Sequence, residues 1–324
     1  MQFQALIVLF SLLSIVHGTA VWSEWEDFQV HHNKSYHSVE EHRRRFLIFV
    51  DNRQRIAEHN KRWAVGQESH LLGINRFADM SPKEFKELLL RGVQPSKGLG
   101  DVHFMPPDVE LGALPRAVDW RSRHAVTEVK DQGNFNTCWS FAATGVIESR
   151  YAIKYGHLQS LSEQNLVDCC LGSEQGYNTW RAMGCTEQLG GIDTESSYPY
   201  QGDANVCRYR PAASAARVFN AVFLPPGNER IMAQALLRGP LAVSIDADSI
   251  QLYKGGVFHD SYCSKVSVNH GLLVVGYGTD PLSGDYWLLK NSWGSQWGEN
   301  GYIRMARNNN NQCGVASEVL YPIV

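Results

Sequence analysis

Three residues of the C-terminal two-thirds carry the side chains of a thiol-based nucleophilic site. Cys138 directly precedes a segment with the pattern of an amphipathic helix, and His270 and Asn291 lie in strand-like segments far downstream. The thiolate is the reactive form of cysteine, and a helix N-terminus and a nearby imidazolium both stabilise it. Taken singly, Cys138 could be a buried structural thiol, His270 a core histidine and Asn291 part of a turn. Their joint presence favours a nucleophile, a base and a group that orients the base.

These residues need rigid elements to position them. Apolar residues at helical spacing predict helices over Trp139–Lys154, Leu161–Asp168 and Glu229–Leu237. Gly156 should end the first of these helices, and Ser160 should begin the second. Short apolar runs bounded by Gly, Pro and Asp predict strands over Leu241–Ile245, Gly271–Tyr277 and Tyr286–Lys290. The C-terminal two-thirds is therefore expected to be α+β.

The N-terminal third has a different composition. Residues 1–20 contain an uncharged apolar run, Ala5–Val16, followed by small residues, which is typical of a cleavable secretory signal and is short for a membrane span. The segment Glu40–Arg91 is rich in charged residues and has the apolar spacing of a helix. The segment Gln94–Pro115 is rich in Gly and Pro and predicts an extended linker.

Charge and cysteine content exclude several function classes. The formal net charge is -3, with no basic stripe for nucleic acid and no polybasic membrane anchor. The seven cysteines of a chain that enters the secretory route indicate disulfides and one leftover thiol. Cys169 and Cys170 are adjacent, and the Cys/His spacing of a zinc motif is missing. We therefore expect no metal and no other cofactor.

Several separated motifs carry a family resemblance. Four segments in the C-terminal two-thirds are Gln132–Phe141, Ser160–Cys169, Asn269–Gly278 and Lys290–Tyr302. Two interrupted signatures in the N-terminal part comprise Glu41, Arg45, Phe49, Asn52, Ile56 and Asn60, and Gly73, Asn75, Phe77 and Asp79. From about Trp25 to Val324 the chain resembles papain-family cysteine peptidases of the cathepsin L type.

The resemblance implies a two-lobe, papain-like fold preceded by a helical inhibitory propeptide. One lobe would be helical around Cys138, and the other would be an antiparallel, barrel-like sheet that carries His270 and Asn291. The expected order is a signal peptide at 1–20, the propeptide at 21–113 and the peptidase domain at 114–324. We expect a monomer that cuts polypeptides after its own propeptide has left the cleft. The secretory route would end in the lysosome or outside the cell.

The resemblance also assigns roles to individual residues. Cys138 would attack the peptide carbonyl, His270 would transfer the proton, and Asn291 would orient the imidazole. Gln132 would donate to the oxyanion together with the Cys138 backbone N–H. Trp293 would shield the His–Asn pair and shape the leaving-group side.

The pocket for the second residue before the scissile bond determines specificity in this family. The matching positions are Ala182, Ser244, Val268 and Glu318. Because a partly desolvated carboxylate needs a cationic partner, Glu318 at the base would favour Arg or Lys in the substrate. The open alternative is that Arg181 neutralises Glu318 instead.

The cysteine framework departs from the family pattern. A pair of cysteines that usually bridge near the nucleophile is replaced by Phe135 and Tyr177. An aromatic contact between them could substitute for that bridge. The family implies the bridges Cys169–Cys207 and Cys263–Cys313. We expect the surplus Cys170 and Cys185 to form a relocated third bridge, which leaves Cys138 free.

The substrate cleft departs as well. Thr179 and Trp180 occupy the places of paired glycines that let a substrate backbone approach in relatives. Their bulk leaves open a second class of function, in which a cleft-modified, weakly active or inactive homologue serves as a binding or inhibitory protein. The retained Cys138, His270 and Asn291 favour the active peptidase.

Overall fold

The computed structural model describes residues 20–91, 93, 113–170 and 178–324. The expected signal peptide and most of the expected linker lie outside these residues. The N-terminal region, residues 20–93, contains helix α1 at 20–31, helix α2 at Val39–Ala64, strand β1 at His70–Leu72 and helix α3 at Pro82–Leu89. Ser81 caps α3 in a reciprocal hydrogen-bond pair with Glu84. The charged segment thus forms two helices with a short strand between them.

Three further helices surround the candidate nucleophile. They are α4 at Cys138–Tyr155, α5 at Glu163–Cys170 and α6 at Thr179–Leu189. Gly156 ends α4 with a left-handed backbone, φ 74°, as its sequence position predicted. The prediction that Ser160 begins α5 was wrong. Leu161 pairs with Thr194 in a β-bridge, and the Ser162 hydroxyl instead accepts from the backbone N–H of Asn165 in the first turn of the helix.

The remaining elements form the second half of the fold. Strands β2 to β9 are Val118–Asp119, Asn220–Phe223, Leu241–Ile245, Tyr253–Phe258, His270–Asp280, Gly284–Lys290, Tyr302–Ala306 and Val319–Ile323. Helix α7 spans Glu229–Leu236. Among the described residues the strand order is β1-β5-β8-β7-β6-β4-β9-β3, and β2 pairs with β6. As expected, the described strand pairs are antiparallel, with the exception of β5 and β8, which pair in parallel because a long crossover through β6 and β7 connects them.

Helix α4 packs closely against strand β6. Alternate residues of β6 face opposite sides of the sheet, so Leu272 and Val274 join one apolar core while Leu273 and Val275 join the other, with α4. A Cβ on Gly145 of α4 would lie 3.2 Å from the Leu273 side chain. The small residue permits this close approach, which places the N-terminus of α4 beside the start of β6.

Three disulfides stabilise the fold. They join Cys169 to Cys207, Cys170 to Cys185, and Cys263 to Cys313. These are the pairs named from the sequence, and Cys138 remains free. In the part of the chain described here, no helix combines the length and apolar character needed to span a bilayer.

Candidate active site

Cys138 is the first residue of α4 and is fully buried. Its sulfur accepts a hydrogen bond from the backbone N–H of Gly271, the residue after His270. A Cβ on Gly271 would lie 3.4 Å from the Cys138 carbonyl oxygen. The glycine therefore lets the helix N-terminus meet the strand, and it brings the thiol next to the start of β6.

His270 and Asn291 are joined by a hydrogen bond. His270 Nε2 lies 2.8 Å from Asn291 Oδ1, so Nε2 carries the proton and donates it. The Ser292 backbone N–H, at 2.8 Å, also donates to this Oδ1 and fixes the amide. His270 Nδ1 is buried and has no hydrogen-bond partner among the described residues. This tautomer leaves the Nδ1 lone pair available for a proton from a neighbouring thiol.

Two tryptophans cover the His–Asn pair. Trp293 stacks on His270 with ring centroids 4.6 Å apart, and Trp297 meets Trp293 edge to face at 5.0 Å. Both indoles are almost completely buried. Exclusion of water strengthens the hydrogen bond between His270 and Asn291.

Gln132 is held in the loop that precedes the nucleophile. Its amide nitrogen donates to the Phe135 carbonyl at 2.6 Å, and its Oε1 accepts from the Ser292 hydroxyl at 2.7 Å. Its backbone N–H also donates to the Ser292 carbonyl. The side-chain amide therefore has a fixed orientation, and one of its two N–H groups remains for another acceptor.

Burial keeps the thiol and the imidazole uncharged in this form of the protein. It raises the pKa of Cys138 to about 11 and lowers the pKa of His270 to about 4. Hydrogen bonds to Cys138 and His270 oppose these shifts only in part. Desolvation therefore opposes, in this form of the protein, the charged pair anticipated from the sequence.

The N-terminal region contributes to this burial. The rings of Phe77 and Phe85 contact Trp293 edge to face at 5.5 and 5.3 Å. Beyond α3, the Arg91 backbone N–H donates to the Asn136 side chain at 2.9 Å. Val93 is buried in the same apolar cluster as Cys138. The segment therefore passes over the candidate site.

Polar contacts attach the N-terminal region to the sheet. Strand β1 adds antiparallel to β5, pairing His70 with Gly256. The Asn75 amide donates to the Gln251 carbonyl at 2.9 Å, and the Gln251 amide donates to the Phe77 carbonyl at 3.0 Å. Reciprocal bonds of this kind fix both position and orientation.

Comparison with known proteins identifies the family. The profile described as papain family cysteine protease matches residues 114–323. The chain belongs to the papain family of cysteine proteases. The profile described as cathepsin propeptide inhibitor domain matches residues 25–85. The N-terminal region of this papain-family protease is therefore a propeptide, and the structure is that of a proform.

Full-length relatives support the same assignment. The chain is 44% identical to cathepsin L of Sarcophaga peregrina over 98% of this chain and 99% of that protein. It is 42% identical to digestive cysteine proteinase 1 of Homarus americanus over 93% of this chain and 94% of that protein. The solved structure of digestive procathepsin L 3 from Tenebrio molitor larval midgut superposes with a TM-score of 0.87 at 42% identity, covering 94% of this chain and 99% of that one.

In this papain-family protease, three of the four expected pocket residues are buried. Ala182 and Val268 belong to the apolar cluster that contains Cys138 and Val93. Ser244 is buried on β4, and its backbone N–H donates to the Glu318 carbonyl at 3.2 Å. Glu318 is half-buried. Two of the expected pocket residues, the candidate nucleophile and Val93 of the propeptide thus share one apolar cluster.

The departures at Thr179 and Trp180 take a specific form. Both residues belong to the first turn of α6, which Asn178 caps, so they do not form an extended strand. The Thr179 hydroxyl lies 3.5 Å from the Trp139 carbonyl, and the Trp180 ring meets Phe223 of β3 at 6.4 Å. The half-buried indole therefore packs against the sheet.

Phe135, which stands at the place of a bridge cysteine, packs over Gly202. Tyr177 lies outside the described residues, so the expected aromatic contact between Phe135 and Tyr177 stays a prediction. A Cβ on Gly202 would come within 2.1 Å of the Phe135 ring. Gly202 has φ 91°, a conformation that favours glycine. The ring thus takes the space that only a glycine leaves free.

Sequence reasoning missed two contributors to the site. Ser292 contacts both Asn291 and Gln132, and its position inside the Lys290–Tyr302 motif was the available signal. Val93 lies between the charged segment that ends at Arg91 and the predicted linker that begins at Gln94, so no local pattern marked it as a buried residue. Only the path of the propeptide over the cleft reveals its position.

Proposed function

We propose that this chain is the inactive precursor of an endopeptidase that hydrolyses peptide bonds through Cys138, His270 and Asn291. The supporting observation is the position of the Cys138 thiol beside His270, where it accepts from the N–H of the adjacent Gly271. The His270 Nδ1 has no hydrogen-bond partner among the described residues, and its Nε2 donates to Asn291. A thiol, a base and a group that orients the base in this order satisfy the requirements of nucleophilic catalysis.

The proposed reaction begins when the propeptide leaves. Water then reaches Cys138 and His270, which removes the desolvation that keeps them neutral, so the proton moves from sulfur to Nδ1. The thiolate adds to the substrate carbonyl, and the oxyanion accepts from the Cys138 backbone N–H and the free N–H of Gln132. The imidazolium protonates the leaving amine, and water then hydrolyses the thioester with His270 as the base. Asn291 keeps the imidazole in the productive tautomer throughout.

We also propose the processing scheme. Residues 1–20 would direct secretion, residues 21–113 would inhibit, and residues 114–324 would act as a monomeric peptidase in the lysosome or outside the cell. Three disulfides suit an oxidising compartment. Val93 supports the inhibitory role because it belongs to the same apolar cluster as Ala182 and Val268, the residues proposed to line the substrate pocket.

Glu318 would select a basic residue at the second position before the cut. The pocket walls Ala182 and Val268 are apolar, so the carboxylate supplies the charge that distinguishes substrates. The test is to profile matured wild type against Glu318→Gln with peptides that carry Arg or Leu at this position. A fall in the Arg-to-Leu preference of about tenfold or more supports the role, and an unchanged preference refutes it.

A maturation assay tests the proposed function as a whole. The wild-type proform, acidified, should release a peptidase that cleaves casein, while Cys138→Ala and His270→Ala proforms treated with an external protease should not. A matured wild type that is folded but cleaves no peptide would favour the alternative of a cleft-modified binding protein. Ser261→Ala, which alters an exposed loop residue, serves as the control.

A further inference from the structure

A second cluster of potential ligands lies away from the active site, where the propeptide contacts the sheet. His59 is on α2, His70 begins β1, and Glu68 lies in the loop between these elements. One ligand atom from each of the three lies within 4.8 Å of the other two. The active-site chemistry uses none of these residues.

His59 has the arrangement of a metal-ligating histidine. Its Nε2 donates to the His70 backbone carbonyl at 2.9 Å, which places the lone pair on Nδ1. That Nδ1 lies 3.8 Å from Glu68 Oε1. Histidines that bind metals usually donate their other ring nitrogen to a backbone carbonyl or carboxylate, which fixes the tautomer. His59 therefore presents an oriented lone pair next to a carboxylate.

His70 supplies an independent observation. Its side chain is only 5% exposed, and its Nδ1 is buried with no hydrogen-bond partner in the described ranges. Its ring packs against Phe258 at 4.8 Å and against His59 at 4.6 Å. A buried nitrogen without a partner destabilises a fold, and each such atom needs an explanation. A bound cation would provide the missing partner.

The surrounding charges allow such a cation. Arg62 donates to Glu68 Oε1 at 2.9 Å and would share the carboxylate with it. The Arg62 side chain is 48% exposed, so it can withdraw into solvent at little cost. His259 and Asp260, after β5, lie near enough to His70 to influence its charge. An open cleft lined by Trp63, Glu68 and His259 gives access from solvent.

We propose that His59 Nδ1, a Glu68 carboxylate oxygen and a ring nitrogen of His70 bind Zn²⁺, with water as the fourth ligand. Two imidazoles and one carboxylate form a ligand set that zinc accepts. Tetrahedral zinc with bonds of about 2.1 Å places its ligands about 3.4 Å apart, so small side-chain movements suffice. The site was not visible in sequence because its ligands follow no Cys/His motif.

The position of the site gives it a regulatory consequence. His70 belongs to β1, which pairs with β5 of the peptidase domain, whereas His59 belongs to the central helix of the propeptide. Zinc would tie these two elements together and so retain the propeptide on the enzyme. This effect on maturation rests on the proposed zymogen function, but zinc binding itself does not.

Zinc titration of the full proform tests the proposal. A Cys138→Ser background prevents self-cleavage and removes the thiol as a competing ligand. Calorimetry at pH 7.5 should show one equivalent of Zn²⁺ bound with a Kd in the micromolar range or tighter, and thermal unfolding should shift upward with zinc. Co²⁺ in place of Zn²⁺ should give visible absorption bands typical of coordination by nitrogen and oxygen.

Matched variants decide the outcome. His59→Gln and Glu68→Gln should each weaken binding by at least about tenfold, whereas Arg62→Gln should bind as tightly or more tightly because it removes a competitor for Glu68. Absence of binding in a folded proform, or binding that survives His59→Gln combined with Glu68→Gln, overturns the proposal. Glu68 is partly exposed, so its variant should fold even if a His70 variant does not. In an otherwise wild-type proform, zinc should slow maturation, and this slowing should be absent in Glu68→Gln.

Discussion

Phe85 of the propeptide packs edge to face on Trp293 of the peptidase domain, with ring centroids 5.3 Å apart and planes at 79°. Trp293 in turn stacks on His270. The inhibitory segment thus rests on the residue that covers the candidate base. This contact connects retention of the propeptide with burial of the active site.

Truncation of this aromatic contact should loosen the propeptide. Phe85 is fully buried, so Phe85→Ala should lower the stability of the proform by about 3–5 kcal/mol and speed its maturation. The matured enzyme should be unaffected because the residue has been removed. Leu47→Ala is the control, since that side chain is 57% exposed on α2. Equal maturation rates for Phe85→Ala and Leu47→Ala would show that the contact does not retain the propeptide.

Asn291 should affect turnover more than binding. Asn291→Ala removes the acceptor of the 2.8 Å bond from His270, and the imidazole loses its fixed orientation. We expect kcat to fall by roughly 10- to 100-fold, with KM little changed, because the loss of such a bond costs about 1.5–3 kcal/mol. Asn309→Ala, on an exposed loop, is the matched control. A variant with unchanged kcat would remove Asn291 from the mechanism.

Acidification should weaken the propeptide through His32. Burial, with help from the nearby charges of His31 and Lys34, lowers the pKa of His32 to about 4, whereas the unfolded chain has an ordinary value near 6.5. The unfolded state therefore binds more protons between these values. The contribution of His32 to the stability of the proform is fully present above pH 6.5 and is lost as the pH falls toward 4.

Because the His32 ring is partly exposed, we expect the free energy of unfolding to fall by roughly 1–2 kcal/mol on acidification. Urea unfolding of the Cys138→Ser proform at pH 7 and pH 4.5 measures this fall. The additional substitution His32→Gln should reduce the drop between the two pH values, and the exposed His157→Gln is the control. An identical drop with and without His32 would show that this histidine does not contribute.

The bridge between Cys170 and Cys185 closes a loop with a sequence separation of 15. Alkylation of the native, unreduced protein should leave both cysteines unmodified, as read by mass spectrometry of peptides. Removing the bridge with Cys170→Ala and Cys185→Ala together should cost about 3 kcal/mol of stability with activity retained. Modification of either thiol in the native protein would exclude the bridge.

The sequence predicted those elements whose local pattern and tertiary role agree. Helix α4 was predicted over Trp139–Lys154 and is Cys138–Tyr155, because an apolar face and the ending Gly156 both point to the same structure. The start of α5 was misplaced because Leu161 pairs with the distant Thr194. No local pattern contains that contact.

Residue types and motif spacing predicted which side chains come together at the site. They did not predict the charge states of these side chains in the proform. Those states depend on burial by Phe77, Phe85 and Val93, which come from a different region of the chain. The ligand cluster of His59 and His70 likewise arises only when α2 folds against β1.

Stoichiometric labelling of the matured protein tests the role of Cys138 most directly. An epoxysuccinyl inhibitor should abolish peptide cleavage at one equivalent, with the label on Cys138 alone, and rapid labelling should persist at pH 5 because sulfur and imidazole form an ion pair once uncovered. The intact proform should label far more slowly, since burial holds its thiol pKa at about 11. Peptide cleavage that continues after Cys138 is fully labelled would show that another residue is the nucleophile.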